Sequence, residues 1–208
     1  MKSSRFEESR EYKFGDCAQR DWAQELARRG RLVLPVYGLD GNSPATKAPV
    51  ILRRGGGWLV APDLLVMGNN GKPAVWNEVK AKGIPTWRIY PPGPRWEHGF
   101  DFSLVSEYGV IEADSGMEVW IVVFEQASPL DANVRSPLEG PPVWLMIPLR
   151  RAIACGDRRS DWPGGKKSPR DRGRRGKGGL LWARTEMQIR DLKIACNQKT
   201  KDGGDNGE

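Results

Sequence analysis

Two acidic residues and a lysine in the first half of the chain are spaced for joint chemistry. Asp63 follows Pro62, and Glu78, Val79 and Lys80 come after a gap of fourteen residues. They lie on two apolar-rich runs, 58–67 and 73–81, joined by Gly68-Asn69-Asn70-Gly71, a strong hairpin signal. On a strand, residues two apart share a face, so Glu78, Lys80 and Lys82 point one way while Val75, Val79 and Ala81 point to the packing side. With Asn70-Gly71 as a two-residue turn, cross-strand partners have numbers that sum to 141, and Asp63 stands opposite Glu78. Cross-strand Cβ atoms are about 4.5–5.5 Å apart. Carboxylates that close repel unless a proton or a cation sits between them. Lys80, one pleat away, gives partial relief. A divalent metal gives more, because two carboxylates, a backbone carbonyl and waters form the all-oxygen set that Mg2+ prefers. The same letters also fit an exposed hairpin with an ordinary Glu/Lys alternation.

The hairpin has to be held by other elements. Phe14, Ala18, Trp22 and Leu26 recur every four residues, and Arg28-Arg29-Gly30 is a stop signal, which predicts a helix from Phe14 onward. Asp16 with Gln19 has capping-box spacing for its start. Residues 31–37 and 50–53 read as short strands, 117–125 and 142–149 as longer ones, 98–113 as a second helix and 150–155 as a short third. Residues 180–195 form a last strand or helix. This order predicts an α/β or α+β domain with a mixed sheet covered by helices. The expected organisation is an arm at 1–13, a core at 14–155, a flexible basic insertion at 156–178, a C-terminal element at 179–197 packed on the core, and a disordered tail at 198–208.

The chain of 208 residues carries a formal net charge of +7, which suggests a polyanionic partner. The excess is local. Arg158, Arg159, Lys166, Lys167, Arg170, Arg172, Arg174, Arg175 and Lys177 stand against three acids between 156 and 178, a net of +6 that leaves +1 for the other 185 residues. No apolar run is long enough to span a bilayer and no apolar segment follows Met1, so no membrane partner is expected. Three widely spaced cysteines, without a CxxC pair, exclude a disulfide scaffold within one chain and fit a reducing, cytoplasmic setting.

Pro62-Asp63 followed by Glu78-Val79-Lys80 resembles the motif of the PD-(D/E)XK nuclease superfamily, and the order helix, strand, motif hairpin, helix, strand matches its core over about residues 14–148. The resemblance implies a restriction-endonuclease-like fold, with a central mixed sheet flanked by helices, and a Mg2+-dependent deoxyribonuclease, with Mn2+ able to substitute. It implies that Asp63 and Glu78 hold the metal with the carbonyl of Val79, and that Lys80 orients or activates the attacking water and stabilises the charged transition state. Resolvase-like members complete the site with a Glu on the first helix. Here Gln19 takes that position, with Asp21 two residues on, so Gln19 is either an auxiliary site residue or the capping-box acceptor. Lys82 either contacts a phosphate or is solvated at the strand end.

Trp87, Tyr90 and Trp96 interleave with Arg88 and Arg95 in a Pro-stiffened connector directly after the motif strand. They either grip and stack on nucleic acid or fold the loop back on itself. Trp22, Trp76, Trp120 and Trp144 lie on periodic elements and read as core. His98, the only histidine, reads as a loop residue at the start of the second helix. The leading expectation is a DNA nuclease of processing, repair or recombination whose basic segment grips the backbone. RNA stays open as the alternative polymer. The rival is a non-catalytic nucleic-acid-binding protein that keeps the fold, which Gln19 in place of an acid favours. Homodimers are frequent among the resembling enzymes that cut both strands, but no self-complementary patch is visible in the sequence.

Overall fold

The run that carries Glu78 and Lys80 forms β5 (Val75–Lys82), the longest strand among the described residues of the computed structural model, which are 10–36, 50–52, 56–68, 72–89, 93–159 and 179–190. It lies inside a six-stranded sheet ordered β1 (Val33–Pro35), β4 (Leu64–Val66), β5, β8 (Val119–Glu125), β9 (Val143–Pro148) and β12 (Gln188–Arg190). β5 and β8 run parallel, with Glu78 beside Ile121 and Lys80 beside Val123, and the other pairs are antiparallel. A parallel pair needs a crossover, and α2 (Phe102–Ser115) supplies the helix of it. Its start is fixed by Asp101, whose side chain accepts from the Ser103 N–H at 2.9 Å. Its end is Gly116 at φ 69°, a left-handed cap that suits glycine.

The two faces of β5 have different neighbours. Val75, Val79 and Ala81 pack with Ala18, Trp22 and Ala23 of α1 (Arg10–Arg28), together with Val122, Phe124 and Trp144. α1 is also keyed to the strand by a polar contact, Trp22 Nε1 donating to Asn77 Oδ1 at 2.8 Å, both residues buried. The opposite face, bearing Trp76, Ile121 and Val123, packs on Val105, Tyr108 and Ile111 of α2 and on Phe100, Leu180 and Trp182. Those last three belong to a second sheet ordered β10 (Asp157–Arg159), β11 (Gly179–Ala183), β7 (Arg95–Asp101) and β6 (Thr86–Arg88). A short ribbon pairs β2 (Val50–Leu52) with β3 (Trp58–Val60), and α3 (Leu149–Cys155) buries Leu149 and Ala152 in the α2-side core. The domain is α+β, a central mixed sheet with helices on both faces, as the element order predicts.

Several elements depart from expectation. α1 begins at Arg10, so Asp16 lies inside the helix and cannot cap it; its carboxylate instead pairs with Arg20 one turn on, at 2.7 Å. Residues 95–101 form strand β7, and the helix expected from 98 starts only at Phe102. The run 58–67 breaks into β3 and β4 around Pro62, and the basic insertion opens as strand β10. Trp22, Trp76 and Trp144 are buried as expected, whereas Trp120 is half-buried. The turn residues 69–71, the arm at 1–9, most of the basic segment (160–178) and the tail from 191 lie outside the described residues.

Because Trp22 is the largest side chain that α1 buries among the described residues, Trp22→Ala is expected to cost about 3–5 kcal/mol. Trp22→Phe retains most of the apolar packing and is expected to cost about 1–3 kcal/mol through the orphaned Asn77 carbonyl. Urea unfolding of both variants measures the difference.

Candidate active site

The hairpin register is the one the turn predicts. Leu64 pairs with Asn77, Leu65 with Trp76 and Val66 with Val75, each pair summing to 141. The ladder stops at Leu64, one residue after Pro62 and Asp63. Proline has no N–H to give to a ladder, and the next residue's carboxylate takes over the pairing. Asp63 Oδ2 accepts the N–H of Val79 at 2.7 Å, while the Asp63 carbonyl accepts from Val36 N at 2.9 Å. Asp63 is thereby clamped by both its backbone and its side chain, and its carboxyl hydrogen-bonds that of Glu78. In an extended strand a residue's N–H and C=O point to the same edge. The carbonyl of Val79 therefore points to the edge on which Asp63 sits.

Glu78 is 3% exposed and Asp63 5%. Glu78 Oε2 accepts from the Tyr108 hydroxyl at 2.7 Å, and Oε1 is in ion-pair contact with Lys80 Nζ. Lys80 in turn lies over the face of Phe100, 5.3 Å from the ring centroid. The site thus has a floor on β5, one wall from α2 and another from β7.

Burial, reinforced by the charge of Glu78 beside it, raises the Asp63 carboxyl from the usual 3.8 to about 8. Lys80 and the Val79 N–H pull the other way and do not prevail; the hydrogen bond to Glu78 holds the proton in place. At neutral pH the pair therefore keeps a proton on Asp63. Two buried, hydrogen-bonded carboxyls, with the Val79 carbonyl on the same strand edge as Asp63 and a proton where a cation would relieve the repulsion, form an oxygen donor set whose chemistry fits a small hard divalent ion. Among the described residues no third Asp, Glu, His or Cys joins them to make a larger metal-ligating group.

The other sequence candidates separate. Gln19 and Asp21 are half-buried on α1, across the sheet from the face of Glu78 and Lys80, and no hydrogen bond or ion pair among the described residues links either to the pair. Lys82 is half-buried on the site face, so it is more than a solvated strand end. Arg95 is tied to Glu97 at 2.8 Å and to Asp157 at 2.5 Å, a structural role that joins β7 to β10. Arg88 stands 3.7 Å from Glu97. Trp96 is buried and donates to the Val134 carbonyl at 2.8 Å, with half-buried Trp87 edge-on to it, so this pair folds the connector back on itself. Arg158 stacks on Phe102, 3.8 Å from the ring, and Arg159 is in β10. Lys166, Lys167, Arg170, Arg172, Arg174, Arg175, Lys177 and Tyr90 lie outside the described residues.

His98 is the clearest correction. It is a buried strand residue, with Nε2 2.6 Å from Glu125 Oε1. Glu125, wholly buried, also receives Arg184 through Nε and a terminal nitrogen at 2.9–3.0 Å. These hydrogen bonds hold its carboxyl below the usual range despite its burial. Sequence reasoning passed over this cluster and Tyr108. For Tyr108 a signal existed, a hydroxyl on the apolar stripe of a helix, which must find a buried partner.

No protein-family model matches the chain, and no curated protein sequence does. Among solved structures it is similar to Hjc, a Holliday junction resolvase from the archaeal hyperthermophile Archaeoglobus fulgidus. The TM-score is 0.36 and the identity 18%, over 64% of this chain and 76% of that one. The candidate site rests on the positions of Asp63, Glu78 and Lys80 themselves.

Between about pH 4 and pH 8 the folded protein holds an Asp63 proton that the unfolded chain has released, so metal-free stability should fall as pH rises through that window and level off above it. The slope due to one such group approaches about 1.4 kcal/mol per pH unit. Asp63→Asn should remove that slope and be the more stable protein at the alkaline end. Urea unfolding of the two proteins in EDTA, compared across this range, measures it.

Proposed function

We propose that this chain is a metal-dependent nuclease of the PD-(D/E)XK kind that its motif resembles, hydrolysing phosphodiester bonds in DNA. The observation that carries the reading is the buried Asp63–Glu78 pair with Lys80 one pleat along the same strand face. Asp63, Glu78 and the Val79 carbonyl would hold Mg2+, or Mn2+ in its place. When bound, the metal supplies a more acidic water and charge neutralisation on the phosphate.

The rest of the chemistry belongs to the chain's own side chains. Lys80, held between Glu78 and the Phe100 ring, is placed to orient the attacking water and to offset charge that develops on the phosphate oxygens. Tyr108 fixes the Glu78 carboxylate so that its free lone pairs stay aimed at the site. Asp63 must give up its proton for the pair to take a cation, so metal occupancy is expected to rise with pH up to about 8. The basic residues from Arg158 to Lys177 supply grip on the polymer backbone, separate from the reaction.

The absence of a third acidic ligand among the described residues favours one alternative, a protein that binds nucleic acid without cutting it. Plasmid and oligonucleotide cleavage in Mg2+, Mn2+ or EDTA decides between the two. Cutting should require the metal and fall by about 10²–10³-fold or more in Asp63→Ala and in Lys80→Ala. Equal cleavage by all three proteins, or none by any, would sink the catalytic reading. Independently, deleting 160–177 removes seven basic residues and should flatten the salt dependence of DNA binding, by about 0.9 in log–log slope for each phosphate no longer neutralised.

A further inference from the structure

Beyond Lys80 the site face continues into a small cleft where β5 meets the second sheet. Lys82, Thr86, Arg88, Glu97 and His98 line it, and its volume is about 40 Å3. Its positive groups are short of acceptors. Lys82 is half-buried and has no ion-pair partner among the described residues, although Glu125 is its register partner on β8. Both Glu125 oxygens are already taken, one by His98 and Arg184 together and the other by Arg184. Arg88 Nε is buried without a hydrogen-bond partner, 3.7 Å from Glu97, whose other oxygen is held by Arg95. A lysine without an ion-pair partner and an unsatisfied guanidinium N–H beside a water-sized opening call for an acceptor from outside, and an anion offsets their charge where water only solvates it.

We infer that the Lys82–Arg88–His98 cleft is a phosphate subsite, which receives the backbone phosphate next to the one cleaved at Lys80. This deepens the nuclease reading and rests on it for the source of the phosphate. Two residues along one strand face are about 6.6 Å apart, comparable to the separation of successive phosphates on a nucleic-acid strand. At about 40 Å3 the cleft admits the non-bridging oxygens of one phosphate and no base. Contact there reads backbone and not sequence. Burial and the neighbouring Lys80 hold the Lys82 ammonium below its usual range, a cost that a bound phosphate removes. The His98–Glu125–Arg184 network fixes the cleft's far wall by locking β7, β8 and the turn at Arg184 together.

The test needs no cleavage. His98 is the only histidine, so its ring resonances are assigned without further variants and report on the cleft directly. Inorganic phosphate titrated into the metal-free full chain in EDTA should shift them saturably in the millimolar range. Lys82→Gln and Arg88→Gln should each weaken that binding about tenfold, whereas Arg151→Gln, at the exposed surface, should leave it unchanged. Absence of a saturable shift, or equal affinity in wild type and both cleft variants, overturns the subsite. As a second arm, an oligonucleotide with one uncharged methylphosphonate next to the cut should be cleaved about tenfold more slowly by wild type and no more slowly than its parent by Lys82→Gln. Phosphate binding by a protein that does not cut leaves the subsite standing and the nuclease reading fallen. Cutting without phosphate binding does the reverse.

Discussion

Asp63 and Glu78 are buried against each other, and the repulsion between them is the constraint from which the rest of the domain follows. Two adjacent carboxyls out of water are stable only with a proton or a cation between them. Asp63 keeps the proton, and Glu78 takes the ion pair with Lys80 and the hydroxyl of Tyr108. Every group that holds the pair in place is a donor that either carboxyl could also meet with water. The fold has exchanged solvent for fixed partners. Burial and the charge of Glu78 together raise the Asp63 carboxyl to about 8, so the pair carries its cost as a retained proton.

The two faces of β5 divide the work. On one, Val75, Val79 and Ala81 bind the strand to α1 and the apolar core, with the Trp22–Asn77 hydrogen bond setting position along the strand. On the other, Glu78, Lys80 and Lys82 form a row of charged groups against α2 and β7, whose contributions include a hydroxyl, an aromatic face and a histidine. The two sides meet only through the backbone, where the Val79 N–H is held by Asp63 while the Val79 side chain packs on α1. The period of two puts alternate side chains of one strand on opposite faces of the sheet. The basic segment adds most of the net charge from a separate stretch of chain, so the charge excess and the buried carboxyl pair are encoded apart.

What could be read from the sequence was local. The Gly68–Gly71 signal and strand alternation set the 141 register, and with it the meeting of Asp63 and Glu78, because side-chain period and turn length leave one arrangement. The four-residue apolar spacing located α1, although Asp16 and Gln19 mimicked a helix start that lies in mid-helix. β7 was misread because its sequence, Arg-Trp-Glu-His-Gly-Phe-Asp, carries charges that are satisfied only in three dimensions. Glu97 finds Arg95, His98 finds Glu125, and the alternation expected of a half-buried strand is hidden. Arg184 lies 59 residues from Glu125, and no spacing rule could have joined them. The cleft beyond Lys80 was invisible for the same reason, since most of its lining comes from the second sheet.

The most direct measurement is calorimetric titration of the metal-free protein with Mn2+, in buffers of different ionisation enthalpy, so that protons are counted with metals. If the buried pair shares the proton as described, one ion binds per chain and releases about one proton at about pH 7, falling toward none above about pH 9. Asp63→Asn then binds no ion at this site. Binding that releases no proton at neutral pH, or binding undiminished in Asp63→Asn, would contradict the account.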